Sequence, residues 1–419
     1  MNPPLGLNSQ FKPMFCRAAG DAMSTVQLRY DPFDAEIQDD PYPVYRQLRD
    51  EAPVYHAPDT NTWVLSRHAD VISALLDHHS YSSVDGVFPT PPGSAMRRSL
   101  LPMMILMDPP RHDQLRALVS KAFTPRRIAA LTTGVENLAD HLTAGLIQEA
   151  GSADFVAEFA AVLPAMVIAD LLGVPREDRT QFRQWSNALV QSDPTHGETG
   201  EALAAAAAIY GYFTNFLADR RSQPRDDLMS ALVCAEIDGK QLSDDELLGF
   251  CLLLLIAGHE TTSNLLANSA VVLAEYRDIR RRLAGDETLL GAAVEELLRY
   301  DSPAQGLSRT LTRDVTVHGV RMSAGESVLL LFGSANRDER VFADPDVFDI
   351  GRKPEHQVAF GRGIHFCLGA SLARMEARIA LRALLARVPN WEVDLERAQR
   401  LRSGPIRGYL SLPISWSPN

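Results

Sequence analysis

From residue 243 to about 276 the sequence reads as one helix. Ser243-Asp-Asp-Glu246 forms a capping box, in which the serine hydroxyl and the glutamate carboxylate satisfy backbone donors reciprocally. Apolar helical sequence then continues to Tyr276, roughly 50 Å at 1.5 Å per residue, which suits a helix crossing a whole molecule. Its longest apolar run, 247–258, has 12 residues. That is too short for a bilayer span, so the expectation is a buried helix and no membrane. In the middle, Ala257-Gly-His-Glu-Thr-Thr262 puts Gly258, Glu260, Thr261 and Thr262 into otherwise apolar sequence. Such groups are costly to bury unless water or a ligand satisfies them. The alternative is a break between two helices, with Thr261 or Thr262 as an N-cap.

The rest of the chain supplies a domain for that rod. Helical periodicity recurs over 44–52, 69–77, 111–123, 126–150, 159–172, 176–191, 200–222, 226–236, 286–300 and 369–388. Strand signals are few: 63–66, 315–320 with its turn glycine, and 327–332. The 419 residues, 46% hydrophobic, can bury a large core but leave no room for a fused flavin reductase. A net charge of −12 gives no global field for nucleic acid or an anionic membrane. Residues 1–26 lack an apolar stretch of the signal-peptide kind; residues 1–30 are expected to be a flexible tail and 31–419 one domain. Cys16, Cys234, Cys251 and Cys367 form no CxxC, which points to a reducing, cytoplasmic setting.

The densest signal is Phe360-Gly-Arg-Gly-Ile-His-Phe-Cys-Leu-Gly369, followed by a helical run. Gly361 and Gly363 allow a tight turn in which amides approach the sulfur, and the helix start beyond adds orphan N–H groups and a positive dipole end. That environment stabilises a thiolate, which could serve as nucleophile, zinc ligand or axial ligand of a haem iron. A dinucleotide fingerprint fails, because position 366 is Phe where a third glycine is required.

This run resembles the haem-binding signature of the cytochromes P450. The resemblance covers the chain from about Asp31 onward and implies a mainly α fold, a large helical domain with small β-sheets around haem b. It implies that Cys367 is the iron ligand and that Phe360, Gly361, His365 and Gly369 shape its loop. Ala257-Gly-His-Glu-Thr261 resembles the family's oxygen-activating stretch, with glutamate where many members have aspartate. By that likeness Gly258 loosens the helix beside Ala257 to admit dioxygen, Thr261 hydrogen-bonds the reacting oxygen or its water, and Glu260 links that water to solvent protons. Glu296-Leu-Leu-Arg299 resembles the family's Glu-x-x-Arg, with Arg352 as third partner in a structural network. His112, Arg116, Arg309 and His365 match its contacts to the haem propionates.

The activity so implied is a monooxygenase that inserts one oxygen atom from O2 by hydroxylation or epoxidation. Its electrons would come from a separate ferredoxin or flavodoxin and its reductase, and the protein would be a monomer. Arg111, Arg116, Lys121, Arg126 and Arg127, with Arg362 and Arg374 beside the cysteine, form the candidate dock for that acidic donor. Family analogy puts 84–107, 185–213, 253–257, 304–307 and 405–406 around the distal pocket. Most of these positions are apolar, which favours a polyketide, terpenoid or fatty-acyl substrate, with Arg97, Arg98 or Gln305 as candidates for a polar end. A haem-thiolate isomerase or sensor is the alternative function. A cysteine hydrolase pairing Cys367 with His365 is the rival that needs no haem.

Overall fold

A computed structural model describes residues 28–90, 101–121, 123–148, 151–190, 200–225, 227–237 and 239–417. Residues 1–27 of the tail expected over 1–30, Arg97 and Arg98, Cys16, and the outer ends of the expected 126–150 and 176–191 helices lie outside the described residues, whereas Tyr30 is buried in a small core with Tyr45 and Leu48 rather than lying in a loose tail.

The central helix, Asp244–Glu275, runs 32 residues without a break. Its capping box is formed: the Glu246 amide donates to Ser243 Oγ at 3.2 Å, and the Ser243 amide donates to Glu246 Oε2 at 3.0 Å. No second helix begins at Thr261 or Thr262, so the N-cap alternative falls away. The helix is long and apolar enough to cross a bilayer, beyond what its 12-residue apolar run suggested, yet more than half of its most apolar stretch is buried inside the protein. Around it pack Val162–Leu172, Arg179–Val190, Gly200–Ser222, Leu290–Tyr300 and Ala370–Arg387. Their apolar faces make one continuous core that includes Phe159, Phe182, Phe213, Leu255, Leu266, Leu297 and Leu381.

Among the described residues, periodicity located most helices to within a few residues and missed three, Ala35–Asp39, Arg277–Gly285 and the single turn Phe332–Ala335. The second of these has five charged residues among its nine, with Ile279 and Leu283 as its apolar pair. Tertiary packing holds it: Arg280 is buried, lies over the Trp391 ring at 4.5 Å, and donates to the Trp391 carbonyl at 2.6 Å. Val156–Ala160 is a π-turn that leads into Val162–Leu172, where one continuous helix from 159 was expected.

The largest sheet has five strands in the order Val54–Ala57, Thr62–Leu65, Ser327–Leu331, Gly306–Leu311, Tyr81–Ser82. All neighbours are antiparallel except Ser327–Leu331 with Thr62–Leu65, which pair in parallel with Val328 opposite Trp63. The 315–320 signal is a hairpin, Val315–Val317 with Val320–Met322, turning through His318 and Gly319 at φ 49° and 78°. Positive φ at both central residues is what a two-residue hairpin turn requires.

Candidate active site

A cavity of about 1620 Å³ lies between the central helix and the loop before Ala370–Arg387. Cys367 forms part of its wall and is accessible from it. The loop is drawn tight by Gly361 and Gly363, both at positive φ, and by the Cys367 amide donating to the Phe360 carbonyl at 2.9 Å. Gly363 has a second reason to be glycine, since a Cβ there would sit 2.4 Å from the Leu75 carbonyl oxygen. Burial pushes the Cys367 thiol up; the Gly369 amide and the guanidinium groups of Arg116 and Arg374 act in the opposite direction.

The central helix lines the other side of the same cavity with Ala257, Gly258, Glu260, Thr261 and Thr262. Burial alone pushes the Glu260 carboxyl up from 4.5 to about 7. Thr261 Oγ1 donates to the Ala257 carbonyl at 2.7 Å, the back-bond expected of a helical threonine. The helix does not open at Gly258. A Cβ there would meet Ile168 Cδ1 at 2.6 Å, so the end of that side chain on Val162–Leu172 would have to shift.

Arg116, Arg309 and His365 line one side of the cavity, and His112 packs behind His365. Arg309 is 4% exposed, and burial lowers it to about 10 despite Asp108 nearby. Burial also lowers His365 to about 3, helped by the charges of Arg309, His112 and Arg116. The two imidazole rings lie 4.4 Å apart, and Ser83 Oγ is 3.2 Å from His365 Nε2. His112 is fully buried; its Nδ1 pairs with Asp113 at 2.9 Å while Nε2 has no partner. Arg116 donates to the Phe366 carbonyl at 2.5 Å. A buried cation, Arg309, a half-buried one, Arg116, and an unpartnered imidazole nitrogen close by call for an anionic group. Haem fits these residues, with a sulfur for its iron, cations for its propionates and apolar walls for its ring.

Glu296, Arg299 and Arg352 are brought together. Arg299 meets Glu296 through two bonds of 2.8 and 2.7 Å, both residues fully buried, and Arg352 Nε joins at 3.2 Å. Arg299 also donates to the carbonyls of Asn336 and Pro345, and the Asp349 amide donates to Glu296. The network thereby fastens the segment that precedes the cysteine loop.

Several expected placements need correction. Gln305 meets no substrate space: its amide accepts from Tyr45 Oη at 3.1 Å and donates to the Ser302 carbonyl at 2.6 Å. Of the expected 185–213 wall, Leu203 lines the cavity among the described residues, whereas Trp185 and Phe213 join an aromatic cluster with Tyr212 and Phe182. The proposed dock loses Arg111 to an ion pair with Glu246, Arg116 to the cavity and Arg374 to an ion pair with Glu295. Lys121, Arg126 and Arg127 are exposed.

Two further groups escaped the sequence reading. Glu376 is 2% exposed and lines the cavity; burial raises its carboxyl to about 8, and Oε2 has no partner. A glutamate among the apolar positions of the 369–388 helix was its only signal. His259 is 1% exposed, and burial lowers it to about 4 against the opposing effect of the Ala161 backbone.

Fold and cavity together define a mainly helical protein whose large, largely apolar cavity carries a cysteine in its wall. The cytochrome P450 family model matches residues 36–403, and the chain belongs to that family of haem b monooxygenases. It is 45% identical over 392 residues to cytochrome P450 123 of Mycobacterium tuberculosis, covering 93% of this chain and 97% of that protein. It is 41% identical over 401 residues to the vitamin D(3) 25-hydroxylase of Pseudonocardia autotrophica, with 94% and 98% covered. The structure of CYP109E1 from Bacillus megaterium in complex with testosterone superposes with a TM-score of 0.80 at 38% identity, over 90% of this chain and 99% of that one.

Proposed function

We propose that this monooxygenase oxidises a neutral hydrophobic molecule of terpenoid or steroid type in the cytoplasm, drawing electrons from a ferredoxin or flavodoxin and its reductase. When bound, haem supplies the iron chemistry that activates dioxygen. Cys367 would hold that iron as a thiolate; burial pushes its thiol up, and the Gly369 amide, Arg116 and Arg374 act against that. Arg309, Arg116, His112 and His365 hold the propionates. Glu260 stores a proton: at about 7 its carboxyl is half-protonated near neutrality, so it can both donate and be reloaded. The Thr261 hydroxyl donates to Ala257 and keeps its lone pairs free to orient a water that carries the proton onward.

The observation that carries this reading is that Glu260 and Thr261 share one largely apolar cavity with Cys367. A hydrophobic substrate is supported by the apolar stretch of wall that Val87, Leu101, Met103, Leu253, Ala304 and Leu307 form, while Asp85, Glu260, Arg116, Arg309 and Glu376 bring charge to other parts of the lining. The methionines let such a wall adapt to shape. The names of the vitamin D(3) hydroxylase and of the testosterone complex support the terpenoid class. The exposed Lys121, Arg126 and Arg127 support an acidic donor, because Pro125–Leu146 packs on the helix that follows Cys367.

The test is a spectral titration of the purified holoenzyme with steroids, terpenoids and fatty acids, followed by turnover. A low-to-high-spin shift with neutral terpenoids and a thiolate-type reduced carbon-monoxide spectrum is expected. Tighter binding of fatty acids would overturn the substrate class. Thr261→Ala is expected to keep consuming reductant while releasing peroxide. Unchanged product yield per reductant would remove Thr261 from the mechanism.

A further inference from the structure

Two consecutive glutamates on Leu290–Tyr300 hold different parts of the chain. Glu296 fastens the segment before the cysteine loop, as described above. Glu295 faces the loop itself, where its carboxylate accepts two hydrogen bonds from Arg374 and one from Gln357 Nε2 at 3.2 Å. Gln357 Oε1 accepts from the Ala359 amide at 2.7 Å. The Arg374 guanidinium lies over the Phe360 ring, 4.5 Å from its centroid, and the Phe360 carbonyl in turn accepts the Cys367 amide. One carboxylate therefore reaches polypeptide on both sides of the cysteine. It also neutralises a cation held near the start of Ala370–Arg387, where the helix dipole disfavours positive charge.

We propose that Glu295 and Arg374 are positioning residues whose opposed fixed charges set the reduction potential of the iron held by Cys367. The proposal rests on the reading of Cys367 as thiolate ligand. Reducing a ferric thiolate site to ferrous adds one negative charge there; Arg374 favours that change and Glu295 opposes it. The side chains are 34% and 32% exposed, so water and salt screen the effect. Each single neutralisation is expected to change the reduction equilibrium by about threefold to tenfold, the upper figure being ~59 mV for one electron.

The experiment is a spectroelectrochemical titration of purified holoenzyme without any redox partner, so that docking cannot contribute. Glu295→Gln is expected to raise the midpoint potential and Arg374→Gln to lower it, with the double variant near the parent and both shifts shrinking at high salt. Glu295→Asp, which keeps the charge, is expected to restore the parental value. Single variants that move together, or not at all, would overturn the proposal while leaving Cys367 in place. Loss of the thiolate carbon-monoxide band in either Gln variant would make the pair a mere brace of the loop and overturn it as well. Absence of that band in the parent would instead sink the ligand reading beneath it.

Discussion

Glu260 sets the pH dependence expected at the level of single residues. Its carboxyl is held up at about 7 by burial, so the protonated donor prevails below that value and is lost above it. Product formation is therefore expected to fall as pH rises through about 7. Glu260→Gln is expected to lose this dependence and to turn over about 10²-fold more slowly, checked by product assays across pH. Glu376 gives a stability test with the same sign. Its folded value of about 8 lies above the 4.5 of an ordinary glutamate, so the folded state binds the extra proton, and stability falls as pH rises through that window. Glu376→Gln is expected to stabilise the holoenzyme by about 1–3 kcal/mol at pH 9 and much less at pH 5, read by thermal unfolding at both. Glu260 announced itself through its neighbours Gly258 and Thr261. Glu376 and His259 did not, because one polar residue in a helix looks the same whether it faces solvent or the protein interior.

At the scale of elements, the cysteine loop is held from outside by the helix Leu290–Tyr300. Glu296→Ala would leave Arg299 as a buried, unpaired cation, a change that costs about 3–5 kcal/mol. The expected outcome is protein that fails to retain haem, measured as the ratio of haem absorbance to protein. The partners of this network were legible through the resemblance of Glu296-Leu-Leu-Arg299 and of the segment that holds Arg352 to the family pattern, since an i, i+3 pair by itself is more often exposed. The role of Arg374 was not: a cation beside the motif suggested a docking surface, and its partner Glu295 is distant in sequence. Gln305 misled for a similar reason, since its amide is taken up by Tyr45 across 260 residues of sequence. Arg277–Gly285 lacked an apolar stripe wide enough to read, because its burial comes from Arg280 stacked on Trp391.

For the molecule as a whole, the acidic balance leaves an exposed basic group, Lys121, Arg126 and Arg127, as the proposed contact for an electron donor. Arg126→Glu with Arg127→Glu is expected to raise the apparent KM for ferredoxin, with a steeper effect at low salt, and to leave the carbon-monoxide spectrum unchanged. Steady-state kinetics at two ionic strengths would check it. The sequence by itself determined the long central helix, most of the helices around it, the cysteine loop and the acid–alcohol pair, because periodicity, capping and motif spacing are local properties. Tertiary structure decided the rest: the sheet register, which arginines face the cavity and which are spent on ion pairs, and how far burial shifts Glu260, His365 and Glu376. Those depend on desolvation and on partners supplied by distant segments, which no local pattern encodes.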